Sequence, residues 1–464
     1  MKVYDSMAKE IIPLNLPKDE VIKVFVCGPT VQDNFHVGHA RTYIFFDSLV
    51  KYLRVRGYSV FYLQNITDID DKIINRAKEE GVDYSEVSEK FISEYMQLMD
   101  LLHVDSVNFY ARATLHIPEI IVQISDLVQK GYAYETSDGV YFRVSRFNDF
   151  GKLSGQNMDA LKSGSRVELN EQKSDPRDFV IWKKYKTGEP YWESSWGKGR
   201  PGWHIEDTAI TEKYFGPTYH IHGSGTDLIF PHHEAEIAIE RSISGSPKLA
   251  EYWIHSAMIN INDEKMSKSL KNYVKIRDVL VDYLPEELRY ALLNAQFKTS
   301  INFSPEILQE ARQNVSQISI LYRKLSLRGQ KYKNYRGENA KIKILEDIID
   351  KNFDFRQLFT EVLSMVGEWN RNLDLMSESE VAEALQTFYW LDSFTNIVKR
   401  GDETSFVKGT VDILLSLRKE LRSKKEFRIA DGIRANLKDL GIYIEDKGEE
   451  TIWWTSEEKG SEKN

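Results

Sequence analysis

Four groups of residues in this 464-residue chain have types and spacings that can do chemistry. The first is His36-Val37-Gly38-His39. Imidazoles at a helix N-terminus can donate to phosphate oxygens as charge develops in phosphoryl or adenylyl transfer. The second is Lys265-Met266-Ser267-Lys268-Ser269, in a polar loop. Two ammonium groups beside hydroxyls can neutralise a triphosphate. The third is His232 and Glu236, four apart and so on one face of a helix. The fourth is Asp68, Asp70 and Asp71, either a cation site or, as the better reading, a helix start with Thr67 or Asp68 as cap. Taken singly, the histidine pair also reads as structural and the lysine loop as a solvated charged turn.

These groups need elements to hold them. Val21 to Cys27 is an apolar, β-branched run that suits a buried parallel strand. After the Gly28-Pro29 break, a helical pattern from about Gly38 to Arg56 carries Tyr43, Phe46, Leu49, Val50 and Leu53 on one side. Tyr58 to Leu63 reads as a second strand, completing a β-α-β unit with both histidines at its mouth. Cys27, the only cysteine, ends the first strand, where open α/β sheets place their ligand crevices. A helical pattern continues from the aspartates to about Leu102, and another from Ile117 to Lys130 ends at Gly131. Between about Tyr132 and Trp196, short strands alternate with Gly, Ser and Lys turns, as in a smaller inserted domain. Trp203 opens a further helix, Tyr219 to Gly223 reads as a strand, and Gly223-Ser224-Gly225 as a loop near a ligand. Pro231 suits the first turn of the next helix. From about Arg277 the pattern is helical almost to the end, with starts at Pro285 and Pro305, a loop over 329–339 and a linker over 399–404.

The length predicts two to four domains. With 41% hydrophobic and 29% charged residues, the composition is that of an ordinary soluble protein. No apolar run approaches a membrane span, and the start lacks the build of a secretory signal. A single cysteine cannot form an internal disulfide and fits a reducing cytoplasm. A net charge of -9 argues against general nucleic-acid affinity but leaves room for a local basic patch. One lies between Arg418 and Lys438, where eight cations face only Glu420, Glu426 and Asp431. Its alternative is a solvated helix face. Trp453 and Trp454 either stack on bases or close a small core.

In combination these motifs resemble the class I aminoacyl-tRNA synthetases, whose two signatures stand here as His36-Val37-Gly38-His39 and Lys265-Met266-Ser267-Lys268-Ser269. The resemblance narrows to the cysteinyl-tRNA synthetase family. It is carried by Cys27 to Val31, Asn65 to Ile73, Gly199 to Glu206, Phe230 to Glu234, Trp253 to Ser256 and Leu440 to Asp446. It implies an α/β fold: a Rossmann-like parallel-sheet catalytic domain with an inserted domain, followed by all-α C-terminal domains. The implied boundaries are catalytic halves at 1–116 and 201–262, with an acceptor-end insertion at 117–200. The lysine loop and stem-contact helices follow at 263–315, a helical bundle at 316–399 and an anticodon domain at 400–464.

The same resemblance implies activation of L-cysteine by ATP, with Mg²⁺, and transfer to tRNA(Cys) by a monomer in the cytoplasm. His36, His39, Lys265 and Lys268 are the implied catalytic residues. Gly38, His39, Gly223, Asp227, His255, Lys265, Met266, Ser267, Lys268 and Ser269 would meet ATP; Cys27, Gly28, Thr67, Trp203 and His233 would meet cysteine. The family's zinc ligands, two cysteines, a histidine and a glutamate, fall here on Cys27, Asp207, His232 and Glu236. Asp207 thus stands in place of the second cysteine. Both groups carry one negative charge and zinc accepts either, but a carboxylate is the harder ligand. Zinc is expected still to bind; a metal-free pocket shaped by Cys27, Thr67, Trp203 and His233 is the competing expectation. Two other functions compete with the main one: a cysteine ligase acting on an amino sugar, against which the long basic C-terminal region argues, and a tRNA-binding paralogue without catalysis, against which both signatures argue.

Overall fold

The computed structural model describes residues 1–156, 172–266, 272–328, 339–399, 403–447 and 450–455. The chain divides into two compact units, Met1–Val398 and Lys399–Asn464. The first is organised on five parallel strands: β1 (Ile22–Val26), β2 (Val60–Ile66), β3 (Phe109–Arg112), β4 (Tyr219–Gly225) and β5 (Ala250–Ser256). Their order is β5-β4-β1-β2-β3. The chain leaves β1 in both directions, so a crevice opens at the carboxyl ends of β1 and β4.

Helix α1 (Val37–Val55) joins β1 to β2 and has thirteen of its nineteen residues buried. The sequence pattern assigns it one apolar side, yet it is covered around most of its girth. Phe45 stacks on Phe297 with centroids 4.7 Å apart, and Tyr52 meets Phe394 edge-on at 5.1 Å. These partners come from far along the chain, Phe297 from the turn after helix Pro285–Leu293 and Phe394 from helix Glu378–Thr395, which local periodicity does not reveal.

The expected helix from the aspartates to Leu102 is two helices, α2 (Asp71–Glu80) and α3 (Tyr84–Leu101). Gly81 takes the left-handed conformation (φ 71°), which ends α2, and Asp83 caps α3. The cap of α2 is Asp70, whose Oδ1 accepts from Lys72 N at 3.0 Å, rather than Thr67 or Asp68.

After α4 (Ile117–Gln129), the inserted strands form one antiparallel sheet: Ala133–Glu135, Gly139–Phe142, Phe179–Lys184 and Gly199–Pro201. Val140, Phe142, Ile181 and Trp182 share a core with Ile120 and Leu127 of α4 and Ile205 of the next helix, α5 (Trp203–Phe215). Gly223 to Gly225 belong to β4 itself rather than to a loop. The helix after Pro231 is α6 (Glu234–Ser244), so Pro231 precedes it rather than opening it. Phe230 is extended (φ -134°, ψ 131°), as the residue before a proline prefers.

Helices Ile276–Asp282, Pro285–Leu293, Pro305–Arg328, Ala340–Ile349, Phe355–Asn372 and Glu378–Thr395 complete the first unit. Arg289, fully buried, ties them to α1. It bonds Asp47 Oδ2 (2.8 Å), Ser48 Oγ (3.1 Å) and the carbonyls of Thr395 (2.6 Å) and Leu102 (2.8 Å).

The second unit has helices Glu403–Ser423 and Phe427–Asp439, and adds an antiparallel hairpin, Ile442–Lys447 with Glu450–Thr455, to the helices expected there. Trp453 packs on the small core of Val411, Leu437 and Ile444. Arg418 is buried and bonds Asp446 through both oxygens at 2.8 Å, while Lys424 pairs with Glu420. The basic patch is therefore smaller than the sequence implies. The loop expected over 329–339 and the tail fall almost wholly outside the described residues, as does the Trp454 side chain.

Candidate active site and metal centre

The strand–loop–helix from β1 to α1 carries two adjoining groups. Cys27 follows the last residue of β1 and its N–H donates to Gly223 O (3.0 Å), which fixes it beside β4. Gly28 N donates to Asn65 Oδ1 at 2.5 Å, and a Cβ on Gly28 would stand 1.7 Å from Asn65 O. Only glycine allows that approach. Thr67 is buried at the end of β2, bridged to Thr30 and reached by Asn65 Nδ2 at 3.3 Å.

Cys27, Asp207, His232 and Glu236 are all buried, and their ligand atoms lie within 4.8 Å of one another. Asp207 comes from α5 and Glu236 from α6; His232 comes from the irregular turn before α6, not from the helix expected to carry both. His232 Nε2 lies 3.1 Å from both Asp207 Oδ2 and Glu236 Oε1. Its other ring nitrogen meets His204 Nδ1 at 2.9 Å, and Trp203 stacks on the ring at 4.2 Å. Asp207 Oδ1 has no hydrogen-bond donor among the described residues, and the Glu236 oxygens are approached only outside hydrogen-bond geometry, by His232 Nε2 (3.1 Å) and His222 Nε2 (3.3 Å). Buried carboxylate oxygens without donors are costly unless a cation satisfies them.

A second set, Cys27, His222, His233 and Glu236, meets the same distance criterion. His222 Nε2 and His233 Nε2 stand 3.4 and 3.2 Å from Cys27 Sγ. Each ring is oriented from behind: His222 Nδ1 by Tyr219 OH (2.7 Å), and His233 Nδ1 by His255 Nε2 (2.8 Å), while His255 Nδ1 meets Ser6 Oγ (2.7 Å). Sequence reasoning did not single out His222 or Ser6. The place of His222 near the carboxyl end of β4 was the available signal; nothing local marks Ser6.

Electrostatics divide the cluster. Burial pushes the Cys27 thiol well above its usual range, and Glu236 and Asp207 push it further. Burial pulls His222, His233 and His255 well below the usual histidine range. His232 goes the other way: burial lowers it, but Glu236 and Asp207 outweigh burial and raise it. The cluster is thus a pocket of neutral imidazoles around one acid-bound imidazole.

The second group is the histidine pair at the start of α1. His36 is the N-cap of α1 and accepts from Gly38 N at 3.2 Å; His39 Nδ1 accepts from His36 N at 3.3 Å. Their rings stack 3.8 Å apart at the helix N-terminus, where the positive end of the helix dipole favours an anion. A cavity of about 340 Å³ joins both groups, lined by Cys27, Gly28, His36, Gly38, His39, Trp203, Asp227, Lys265 and Met266. Ser267, Lys268 and Ser269 lie outside the described residues. Gly223 lies against Phe46, where a Cβ would stand 2.4 Å from the ring. His255 turns to His233 rather than into this cavity. A larger cleft, about 670 Å³, lies among Tyr290, Gln296, Asn302, Asn314 and Arg356 and holds none of these residues.

The three aspartates gather no cation site among the described residues. Asp68 accepts from Thr114 N (2.9 Å) and Oγ1 (2.6 Å), Asp70 caps α2, and Asp71 pairs with Lys183 and Arg200.

A parallel sheet in this strand order, with a histidine pair at the first helix and a lysine-bearing segment across the crevice, defines a class I aminoacyl-tRNA synthetase catalytic core. Residues 14–313 match the family model described as "tRNA synthetases class I (C) catalytic domain". Solved structures share the fold: Mycobacterium tuberculosis methionyl-tRNA synthetase with methionyl-adenylate at TM-score 0.60 and 16% identity, covering 82% of this chain and 90% of that one. An Agrobacterium radiobacter LeuRS–tRNA complex aligns at TM-score 0.62 and 10% identity, covering 82% and 84%. The chain belongs to the cysteine–tRNA ligase family. It is 54% identical over 460 residues to a cysteine–tRNA ligase of Thermoplasma volcanium, covering 98% of this chain and 100% of the relative. Against that of Thermococcus onnurineus it is 40% identical, covering 98% of each.

Proposed function

We propose that this chain activates L-cysteine with ATP and transfers it to the 3′ end of tRNA(Cys). The observation that carries the reading is the adjacency of a buried thiol–carboxylate–imidazole cluster at Cys27 to the histidine pair at α1. In the first step the cysteine carboxylate attacks the α-phosphate of ATP, which enters with Mg²⁺, and pyrophosphate leaves. In the second, the terminal ribose hydroxyl of the tRNA attacks the adenylate's carbonyl carbon and AMP leaves. His36 and His39 donate to phosphate oxygens, and Gly38 lets ATP approach. Lys265 and Lys268 neutralise the departing pyrophosphate, with Met266, Ser267 and Ser269 shaping their loop. Asp227 takes the adenosine side, while Gly223 and His255 support the sheet beneath it. This is catalysis by positioning and charge.

Cysteine must be told from serine, and an apolar pocket discriminates a methylene-sized difference by only about 1–3 kcal/mol. Cys27, Asp207, His232 and Glu236 would hold a zinc ion; the orphaned oxygens of Asp207 and Glu236 fit one. When bound, zinc supplies a Lewis acid that takes a thiolate in strong preference to a hydroxyl. Gly28, Thr67, Trp203 and His233 close the cysteine pocket around it. Residues 117–200 receive the acceptor end and residues 400–464 the anticodon, in a cytoplasmic monomer. ATP–pyrophosphate exchange tests the reading. Exchange driven by cysteine and not by serine is expected; no exchange with cysteine would contradict it.

A further inference from the structure

We infer that Arg41 is a positioning residue for adenylate formation, its buried guanidinium holding the segments that carry the lysine loop in register with His36 and His39. The inference rests on the ATP-dependent reading above.

Arg41 lies two residues past His39 on α1 and is 2% exposed. Among the described residues no carboxylate pairs with it. Its donors instead meet the carbonyls of Met258 (3.3 Å), Gln296 (3.3 Å), Phe297 (3.4 Å) and Thr299. A buried cation is costly unless its hydrogen bonds are satisfied. Apolar side chains would fill the space at lower cost, as Tyr43, Ile44 and Phe46 do nearby. The planar fork reaches several acceptors at once, which a lysine ammonium cannot reproduce.

The carbonyls that it gathers belong to the platform of the lysine loop. Ile259–Ile261 pairs with Ile301–Asn302 on one side and with Glu264–Lys265 on the other. Met266 N donates to Ile259 O at 3.1 Å, and the Met266 side chain abuts Gly38, where a Cβ would stand 3.1 Å from its Cε. On the far side of the loop, Val37 N donates to Val274 O and Ile276 N to Phe35 O, each at 3.0 Å. The segments that precede and follow the loop are therefore both anchored at the first turn of α1. Arg41 fixes the base of the preceding one. Cysteine's pocket, at Cys27 and Trp203, lies outside this linkage.

The test uses the full-length Arg41→Lys and Arg41→Gln variants with the parent chain. Active-site titration gives the fraction able to form adenylate, and single-turnover kinetics gives the rate per active site. The expected result is a fall of about 10- to 100-fold in the per-site rate, with KM for cysteine within about twofold of the parent. A parent-like per-site rate with only a smaller active fraction would make Arg41 purely structural and overturn the inference. If neither variant folds, hydrogen exchange of the parent decides. ATP should change protection at 294–301 together with 36–41; a change at 36–41 alone overturns the inference. Failure of the parent to form any adenylate would instead overturn the functional reading.

Discussion

At position 207 a carboxylate stands where the family resemblance expects a thiolate, and its surroundings accommodate the exchange. Asp207 Oδ2 reaches His232 at 3.1 Å, and Oδ1 is buried without a hydrogen-bond donor among the described residues. Asp207→Asn keeps the shape and removes the charge, so zinc affinity should fall at least about tenfold, whereas Asp207→Cys should retain it. Competition with a chelator measures both; a parent-like Asn variant would remove Asp207 from the ligand set. Gly28→Ala puts a methyl against the Asn65 backbone, which cannot rotate away as a side chain would. It should cost about 1–3 kcal/mol of stability and abolish cysteine-dependent exchange; a melting curve like the parent's would contradict the close approach. The gathering of Cys27, Asp207, His232 and Glu236 was legible because motifs mark them. Ser6 was not, since it meets His255 across a span of 249 residues.

Elements were legible where the pattern is local. The β-α-β unit and the helix starts at Pro285 and Pro305 follow from periodicity and proline. The break at Gly81 was hidden because α2 and α3 are both amphipathic, and the burial of α1 was hidden because its second set of partners lies beyond residue 295. One ion-pair group between elements gives a pH prediction. Burial alone would raise Asp71 at the start of α2, but Lys183 and Arg200 of the inserted sheet outweigh it and lower its pKa to about 2. A depressed carboxylate stabilises above its unfolded pKa and loses that contribution as pH falls through its folded pKa. Asp71→Asn should therefore melt below the parent at neutral pH, with the gap closing between about pH 4 and 2. Asp71 is 52% exposed, so the gap should also shrink with salt. A gap independent of pH would mean that the loss is one of packing.

At the scale of the whole molecule the chain divides in sequence at Lys399 into two compact units, to which the proposed function gives separate tasks. The boundary near Lys399 was legible in the sequence; the terminal hairpin was not, because Ile442–Lys447 is three apolar residues followed by three charged ones and lacks the alternation that marks a half-buried strand. Deleting residues 399–464 should leave cysteine-dependent ATP–pyrophosphate exchange within about threefold of the parent while tRNA charging falls by about 100-fold or more, a loss of about 2.7 kcal/mol. Equal loss of both would deny the division of labour. The central claim, that a metal at Cys27 and Asp207 reads the substrate thiol, has a direct test because the 464 residues contain one cysteine. Zinc-edge X-ray absorption of the purified chain, with and without L-cysteine, counts sulfur ligands. One zinc per chain with one sulfur ligand is expected, rising to two when cysteine is added and staying at one with serine. No zinc, or a sulfur count unchanged by cysteine, would contradict it.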